Sequence, residues 1–134
     1  MAREKKTTRK TKKQEAPRLV SEGRIYVTAT FNNTIVTITD DKGKPLAWTS
    51  CGRLGFKGTR KSTPYAATTT VEAAIEEVKN LGIKKVKVYI KGPGPGRDAV
   101  LKVLGAKKEI DILSISDITP IPHNGPRPPK RRRA

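Results

Sequence analysis

The fold of this chain follows from residues 24–40, RIYVTATFNNTIVTITD. Apolar and polar side chains alternate through 24–31 and again through 34–40, and β-branched and aromatic residues dominate both runs. This pattern predicts two β-strands. The pair Asn32-Asn33 between them is a turn signal, so we expect a hairpin. Ile25, Val27, Ala29 and Phe31 are predicted to share one face of the first strand.

The sequence downstream extends this hairpin. Residues 45–50 predict a third strand, which completes an antiparallel meander. A helix is predicted over 64–81, with Thr63 as its N-cap and a proline at its first position. A short helix is predicted between two further strands, at 97–104 between 85–91 and 109–115.

The predicted order of elements is therefore βββαβαβ. Helices between the later strands indicate parallel crossovers, so the fold class is α/β, with a single mixed sheet and helices packed on it. The sharp alternation in 85–91 predicts that Val86, Val88 and Ile90 face the core.

Charge divides the chain into three parts. Its 134 residues include 29 Lys and Arg but only 12 Asp and Glu, a net charge of +17, which points to a polyanionic partner. We predict a basic N-terminal tail at 1–18, an α/β RNA-binding core at 19–118 and a Pro/Arg-rich basic tail at 119–134. The tails have few apolar residues and are expected to be disordered until an anion orders them.

Several classes of protein do not fit this composition. No apolar run approaches the ~18 residues of a membrane span, and no secretory signal is expected. The single cysteine, Cys51, forms no internal disulfide, and the single histidine, His123, builds no metal cluster. We therefore expect no metal, no cofactor, no small-molecule substrate and no membrane partner. A cytoplasmic location fits best, with an organelle stroma or matrix as the alternative.

A basic loop is predicted at 51–61, CGRLGFKGTRK, just before the long helix. It has three glycines, no acidic residue and four basic residues: Arg53, Lys57, Arg60 and Lys61. Glycines let a backbone approach a ligand closely, and basic side chains neutralise phosphates. The loop therefore indicates RNA binding, while a merely solvated basic loop is the alternative.

The segment 91–98, KGPGPGRD, predicts a stiff turn before the second helix. It lacks the Gly-Lys-Ser/Thr ending of a P-loop, and its glycine spacing is wrong for a dinucleotide site. Two interpretations have about equal weight. Either backbone amides with Lys91 and Arg97 bind an RNA phosphate, or the loop is rigid and has no ligand.

The C-terminal tail contains five prolines in 120–129, which disfavour helix and sheet. An extended, basic backbone suits passage between phosphate chains; a solvated tail or a localisation signal is the alternative. The candidate RNA-binding residues of the tail are His123, Asn124, Arg127, Lys130, Arg131, Arg132 and Arg133.

Four segments in this order resemble the small-subunit ribosomal protein eleven family in its bacterial form. They are 29–40, 55–67, 91–98 and 117–133, and the resemblance covers roughly 23–133. It implies a ribonuclease-H-like topology. It also implies a structural place on the platform of the small subunit, where the protein bridges several ribosomal RNA helices near the Shine–Dalgarno cleft and the messenger exit path.

The resemblance further implies neighbours and contact residues. The neighbours would be the seventh and eighteenth proteins of the small subunit. The third initiation factor is a further partner that the resemblance leaves open. The implied RNA-contacting positions are Asn32, Asn33, Arg53, Lys57, Arg60, Lys61, Gly94, Gly96, Arg97 and the tail from His123 to Arg133.

The charge and the implied topology each permit another function. Charge alone permits a general nucleic-acid-compacting protein or RNA chaperone. A metal-dependent nuclease shares the implied topology, but such chemistry needs carboxylates that converge on two metal ions. The sequence shows no convergent set among Asp40, Asp41, Glu72, Glu76, Asp98 and Asp117. We therefore expect no enzymatic activity.

Overall fold

A computed structural model describes residues 21–133, so the predictions for the tail at 1–18 lie outside the described residues. The strands are β1 Glu22–Ala29, β2 Thr34–Asp40, β3 Pro45–Ser50, β4 Lys85–Lys91 and β5 Asp111–Asp117. The helices are α1 Pro64–Val78 and α2 Gly96–Ala106, with short 3₁₀ turns at Gly58–Ser62 and Lys79–Leu81. The predicted order βββαβαβ is confirmed.

The five strands form one sheet in the order β3-β2-β1-β4-β5. β2 runs antiparallel to both β1 and β3, whereas β4 pairs parallel with β1 and β5 pairs parallel with β4. This confirms the mixed sheet, and its order agrees with the ribonuclease-H-like topology that the resemblance implied. The parallel pairs are connected by helices, as parallel crossovers require.

The first strand differs from its prediction. β1 ends at Ala29, two residues before the predicted end, because Thr30 already belongs to the turn. The N–H of Thr30 donates to the carbonyl of Asn33 at 2.8 Å. Phe31 therefore lies in the turn with 71% of its surface exposed, and the prediction that it belongs to the strand is wrong.

The last strand is also displaced, from the predicted 109–115 to Asp111–Asp117. The segment before it turns, with the N–H of Ile110 donating to the carbonyl of Lys107 at 3.3 Å. Pairing with the sheet begins one residue later, where the N–H of Asp111 donates to the carbonyl of Lys84 at 2.7 Å.

The predicted helix caps are largely correct. The hydroxyl of Thr63 accepts a hydrogen bond from the N–H of Ala66 at 3.3 Å, which satisfies one free donor of α1. After Val78 the helix tightens into the 3₁₀ turn, and the chain then leaves through Gly82 at φ +73°. A left-handed φ of this kind favours glycine. The second helix, Gly96–Ala106, is longer at both ends than the predicted 97–104.

Both helices pack on one face of the sheet, where the core lies. Val86, Val88 and Ile90 are buried, as predicted from the alternation in β4. The other face of the sheet has no helix packed on it within residues 21–133. No helix in the described range is long and apolar enough to span a membrane.

Candidate nucleic-acid interface

The segments singled out in the sequence meet at one end of the sheet. β1, β3, β4 and β5 run in the same direction and β2 runs against them, so four strands finish where β2 begins. We call this the loop end of the sheet. It carries the β1–β2 turn at 30–33, the β3–α1 loop at 51–63, the β4–α2 loop at 92–95 and the chain after β5 at 118–133.

Backbone hydrogen bonds continue the sheet into this end. The N–H of Cys51 donates to the carbonyl of Thr34 at 3.2 Å, which ties the start of the basic loop to β2. The N–H of Ile118 donates to the carbonyl of Ile90 at 2.8 Å, which extends the pairing of β4 with β5. The basic loop and the tail therefore leave a rigid frame at fixed positions.

The Asn32-Asn33 turn projects from the same end. The side-chain oxygen of Asn33 accepts from the N–H of Thr34 at 2.9 Å, and the hydroxyl of Thr30 accepts from the N–H of Asn33 at 3.0 Å. These bonds use Asn33 to shape the turn. Asn32 is exposed at its tip and offers its amide to solvent.

The basic loop displays most of its charge. Lys57 and Arg60 are exposed, and Lys61 is half-buried. Phe56 lies edge-to-face against Tyr65, with the ring centroids 6.1 Å apart and an interplanar angle of 81°. This half-buried ring packs against the start of α1, so the loop has an apolar anchor beneath its cations.

Arg53 is held against β3 rather than extended from the loop. Its guanidinium lies 4.8 Å from the ring centroid of Trp48 and donates to the carbonyl of the same residue. It also lies 3.5 Å from the carboxylate of Glu77. A guanidinium over an indole face is a cation–π contact, which leaves Arg53 exposed but oriented.

Glycines let the Gly-Pro loop lie against β1. Gly92 has φ +98°, and a Cβ there would meet the carbonyl oxygen of Ala29. A Cβ on Gly94 would come 2.7 Å from the carbonyl carbon of Ala29, and one on Gly96 would come 3.0 Å from the Cβ of Ala67. Residues with a side chain do not fit these positions without a shift.

The structure changes the predicted role of this loop. The N–H of Gly94 donates to the carbonyl of Ala29 at 2.9 Å, and both Gly94 and Gly96 are buried. The amide of Gly94 is therefore occupied within the protein and is not available to a phosphate. Lys91, at the end of β4, is exposed and keeps its charge in solvent.

Arg97 fastens the start of the C-terminal tail. Its guanidinium donates to the carboxylate of Asp117 at 2.8 Å and to the carbonyl of Gly92 at 2.9 Å. The hydroxyl of Thr119 donates to the same carboxylate at 2.6 Å, and the N–H of Gly92 donates to that hydroxyl at 3.1 Å. We call these four residues the tail latch. Arg97 thus acts mainly within the protein.

The electrostatics of the tail latch favour the charged form of Asp117. Hydrogen bonds from the Thr119 hydroxyl, then from Arg97 and from the Thr119 N–H, lower the pKa of this carboxyl far below its usual range. The latch is therefore fully formed at neutral pH. An Asp followed two residues later by Thr is a local turn signal in the sequence. Arg97 lies 20 residues away, so no local pattern revealed it.

The chain beyond the latch is open to solvent. Residues 118–133 form no helix or strand and are exposed throughout, as the prolines predicted. Asn124 adopts a left-handed φ of +57°, which bends the chain after His123. The tail cations follow the bend: Arg127, Lys130, Arg131, Arg132 and Arg133. Disorder of this tail in the free protein stays a prediction.

The six carboxylates named in the sequence are divided between the two ends of the sheet, with Asp98 and Asp117 near the loop end. Asp40 and Asp41 lie where β2 finishes, which is the opposite end of the sheet. Within residues 21–133, no three His, Cys, Asp or Glu side chains form a group suited to a metal ion.

Together these features define a basic α/β protein whose basic loop and C-terminal tail both leave one end of a five-stranded sheet. The sequence profile described as Ribosomal protein S11 matches residues 23–133, so the chain belongs to the ribosomal protein S11 family. It is a structural constituent of the small ribosomal subunit and thus part of a ribonucleoprotein that acts in translation.

Relatives named small ribosomal subunit protein uS11 match over most of their length. The protein from Borreliella burgdorferi (strain ZS7) is 55% identical over 90% of this chain and 92% of its own. Those from Sulfurovum sp. (strain NBC37-1) and Helicobacter pylori (strain 26695) are 50% and 51% identical over 90% and 91% of this chain, and over 98% and 93% of their own. These matches support the bacterial type.

Proposed function

We propose that the chain binds small-subunit ribosomal RNA through the loop end and the C-terminal tail. The observation that carries this proposal is the convergence of the Asn turn, the basic loop, Lys91 and the tail on one end of the sheet. The rigid frame spaces these segments, so that each can contact a different RNA helix.

The mechanism is electrostatic. Lys and Arg side chains neutralise phosphates and release counterions, which makes affinity depend steeply on salt. With roughly 6–10 phosphate contacts, affinity is expected to fall by about 10³–10⁵ between about 50 and 200 mM salt. Asn32 and His123 add polar and stacking groups that suit unpaired bases.

The finer placement rests on the resemblance of the segments quoted above. We propose a position on the platform, near the Shine–Dalgarno cleft and the messenger exit path, with the seventh and eighteenth small-subunit proteins as neighbours. The third initiation factor belongs to the same proposal. We further propose that the protein works in the cytoplasm and has no enzymatic activity.

A filter-binding titration tests the RNA proposal. The protein is titrated with small-subunit ribosomal RNA and with random RNA of equal length, at several salt concentrations. The loop variant replaces Arg53, Lys57, Arg60 and Lys61 with Gln. The matched control replaces four exposed lysines at the opposite end of the sheet with Gln: Lys42, Lys44, Lys84 and Lys108.

The loop variant is expected to lose far more affinity than the control, although both lose four charges. Equal losses would show that net charge alone drives binding, which would overturn the proposed interface. Equal affinity of the unaltered protein for both RNAs, and for random duplex DNA, would favour a general compacting or chaperone protein instead.

A further inference from the structure

The face of the sheet without helices carries a row of aromatic side chains. Cross-strand pairing places Trp48 opposite Thr37, Thr37 opposite Tyr26, and Tyr26 opposite Tyr89. The row ends at Ser116 on β5. The Tyr26 and Tyr89 rings stack, with centroids 5.1 Å apart and planes within 15°. We call this set the aromatic row.

The indole is the most accessible part of the aromatic row. Trp48 is 53% exposed although it sits within a strand, and one face of its ring is covered by Arg53. Aromatic residues are enriched in binding interfaces relative to the rest of a protein surface. The small neighbours Thr37 and Ser116 leave space beside the taller rings.

Cations flank the aromatic row on both sides. Two residues from the Tyr26–Tyr89 pair, toward the end of the sheet opposite the loop end (the far end), Arg24 pairs with Lys87. Two residues from it toward the loop end, Thr28 pairs with Lys91. Glu22 and Asp41 share a small cleft with Arg24 at the far end, and Glu77 lies 3.5 Å from the Arg53 guanidinium that covers Trp48. The middle of the face is thus aromatic, and its charged border is mainly positive.

We propose that this open sheet face binds single-stranded RNA, with bases stacked on the aromatic row and phosphates on its flanking cations. Aromatic rings accept the faces of unpaired bases, and a basic groove follows the backbone. Lys91 belongs to both surfaces, so the face is continuous with the loop end. The inference rests on the proposed function in taking RNA as the ligand, but assigns it a second, stacking site.

Charge decides between RNA and protein as the occupant. A second copy of the chain would bring Arg24, Lys87 and Lys91 against the same cations, and like charges in contact oppose association. An RNA strand supplies both the negative charge and the flat apolar faces that this surface requires. A protein partner is therefore an outcome of the test rather than the proposal.

The chain contains a single tryptophan, so its fluorescence reports on the aromatic row alone. The full chain is titrated with short single-stranded oligouridylate and oligoadenylate. Inorganic polyphosphate and an abasic oligonucleotide serve as probes that carry charge but cannot stack. Stacking on the indole predicts strong quenching by the oligonucleotides with bases and little by the other two.

Two variants of the open face and one control locate the stacking. Tyr89→Leu keeps the strand apolar and is expected to weaken oligonucleotide binding about tenfold, since each base–aromatic stack contributes on that order. Lys42→Gln, at the far end, is expected to change little. Circular dichroism checks that each variant is folded. Lys87→Gln removes a flanking cation, leaves every ring in place and is also expected to weaken oligonucleotide binding.

The outcomes separate this proposal from the previous one. Deleting 127–134 should abolish tight binding to ribosomal RNA and leave the quenching by short oligonucleotides intact. Equal quenching by polyphosphate would mean that anions simply displace Arg53, and absence of quenching by any oligonucleotide would mean that the face does not stack bases. Sedimentation as a dimer with Trp48 shielded would assign the face to protein. Each of these three results overturns the inference.

Discussion

Asp117 joins the folded core to the C-terminal tail, for which we propose RNA binding. Its carboxylate accepts hydrogen bonds from Arg97 in α2 and from Thr119 at the start of the tail, so one side chain sets the direction in which the tail leaves. An ion pair this exposed contributes little to overall stability. If the tail binds RNA as proposed, the latch holds it in place beforehand and so reduces the entropy lost on binding.

We predict that Asp117→Asn loosens the tail and lowers RNA affinity, with a small effect on the core. Because the native pKa of Asp117 is lowered, the contribution of the latch to stability is complete above about pH 4, the ordinary carboxyl range. It is lost as the pH falls through the native pKa. The gap in melting temperature between the two proteins should therefore narrow below about pH 4.

Melting curves across pH and backbone relaxation of residues 119–126 check this prediction. Asp41→Asn removes the same charge at the opposite end of the sheet and should leave the tail unchanged. Equal mobility of the tail in Asp117→Asn and the unaltered protein would contradict the proposed role of the latch.

Gly92 and Gly105 form a matched pair. Gly92→Ala should destabilise the protein by at least about 1–2 kcal/mol, because φ is +98° there and the new Cβ would meet the Ala29 carbonyl. Gly105→Ala, in the last turn of α2 with open space around it, should be neutral or stabilising by up to about 1 kcal/mol. Urea unfolding of both variants measures this, and equal effects would contradict the packing role of the Gly-Pro loop.

Individual residues of the site were only partly predictable. Basic residues among glycines outside the regular elements were expected to remain in solvent, and Lys57 and Arg60 do so, whereas their binding of RNA stays a prediction. The sequence did not show that Arg53 lies over Trp48 or that Arg97 reaches Asp117, because both contacts depend on the sheet and helices being assembled. Phe31 was misplaced because strand alternation continues into a turn that Thr30 and Asn33 close.

Among the elements, β4 is central to the core, since it lies between β1 and β5 and its inward side chains are buried. We predict that Val88→Asp prevents folding. Burying an unpaired charge costs several kcal/mol, which is comparable to the whole stability of about 5–15 kcal/mol for a typical domain. Lys87→Asp, its exposed neighbour on the other face, should fold. Circular dichroism and amide dispersion in NMR spectra measure both, and a folded Val88→Asp would contradict the assigned core.

The elements were more predictable than their ends. Periodic burial fixes the interior of a strand, so the patterns over 34–40, 45–50 and 85–91 gave the observed bounds. β5 shifted by two residues because its start depends on where Asp111 meets Lys84, the residue just before β4. Such pairing has no local signal at an edge strand whose side chains are mostly exposed.

For the molecule as a whole, the topology explains how the segments proposed to bind RNA all come to one end of a small domain. Three parallel strands and the meander send four loops or tails to one end, and the helices cover the face that would otherwise need another partner. Segments distant in sequence, such as the Asn turn and the tail after Asp117, are thereby brought to one side. The parallel crossovers were readable from the sequence, so this convergence follows from the predicted order of elements.

Folding and RNA binding should then be separable by truncation. Deleting 127–134 removes five positive charges, and none of the described residues 127–133 is buried, so the melting temperature should hardly change. RNA affinity should fall strongly, and the dependence of log affinity on log salt should become shallower by up to about 4–5, since each lost phosphate contact accounts for about 0.9. A variant with Gln at the five basic positions keeps the prolines and separates charge from chain shape. If it binds like the unaltered protein, the tail acts through its extended backbone; if it binds like the truncated one, the tail acts by neutralising phosphates, as the exposed cations beyond the latch lead us to expect.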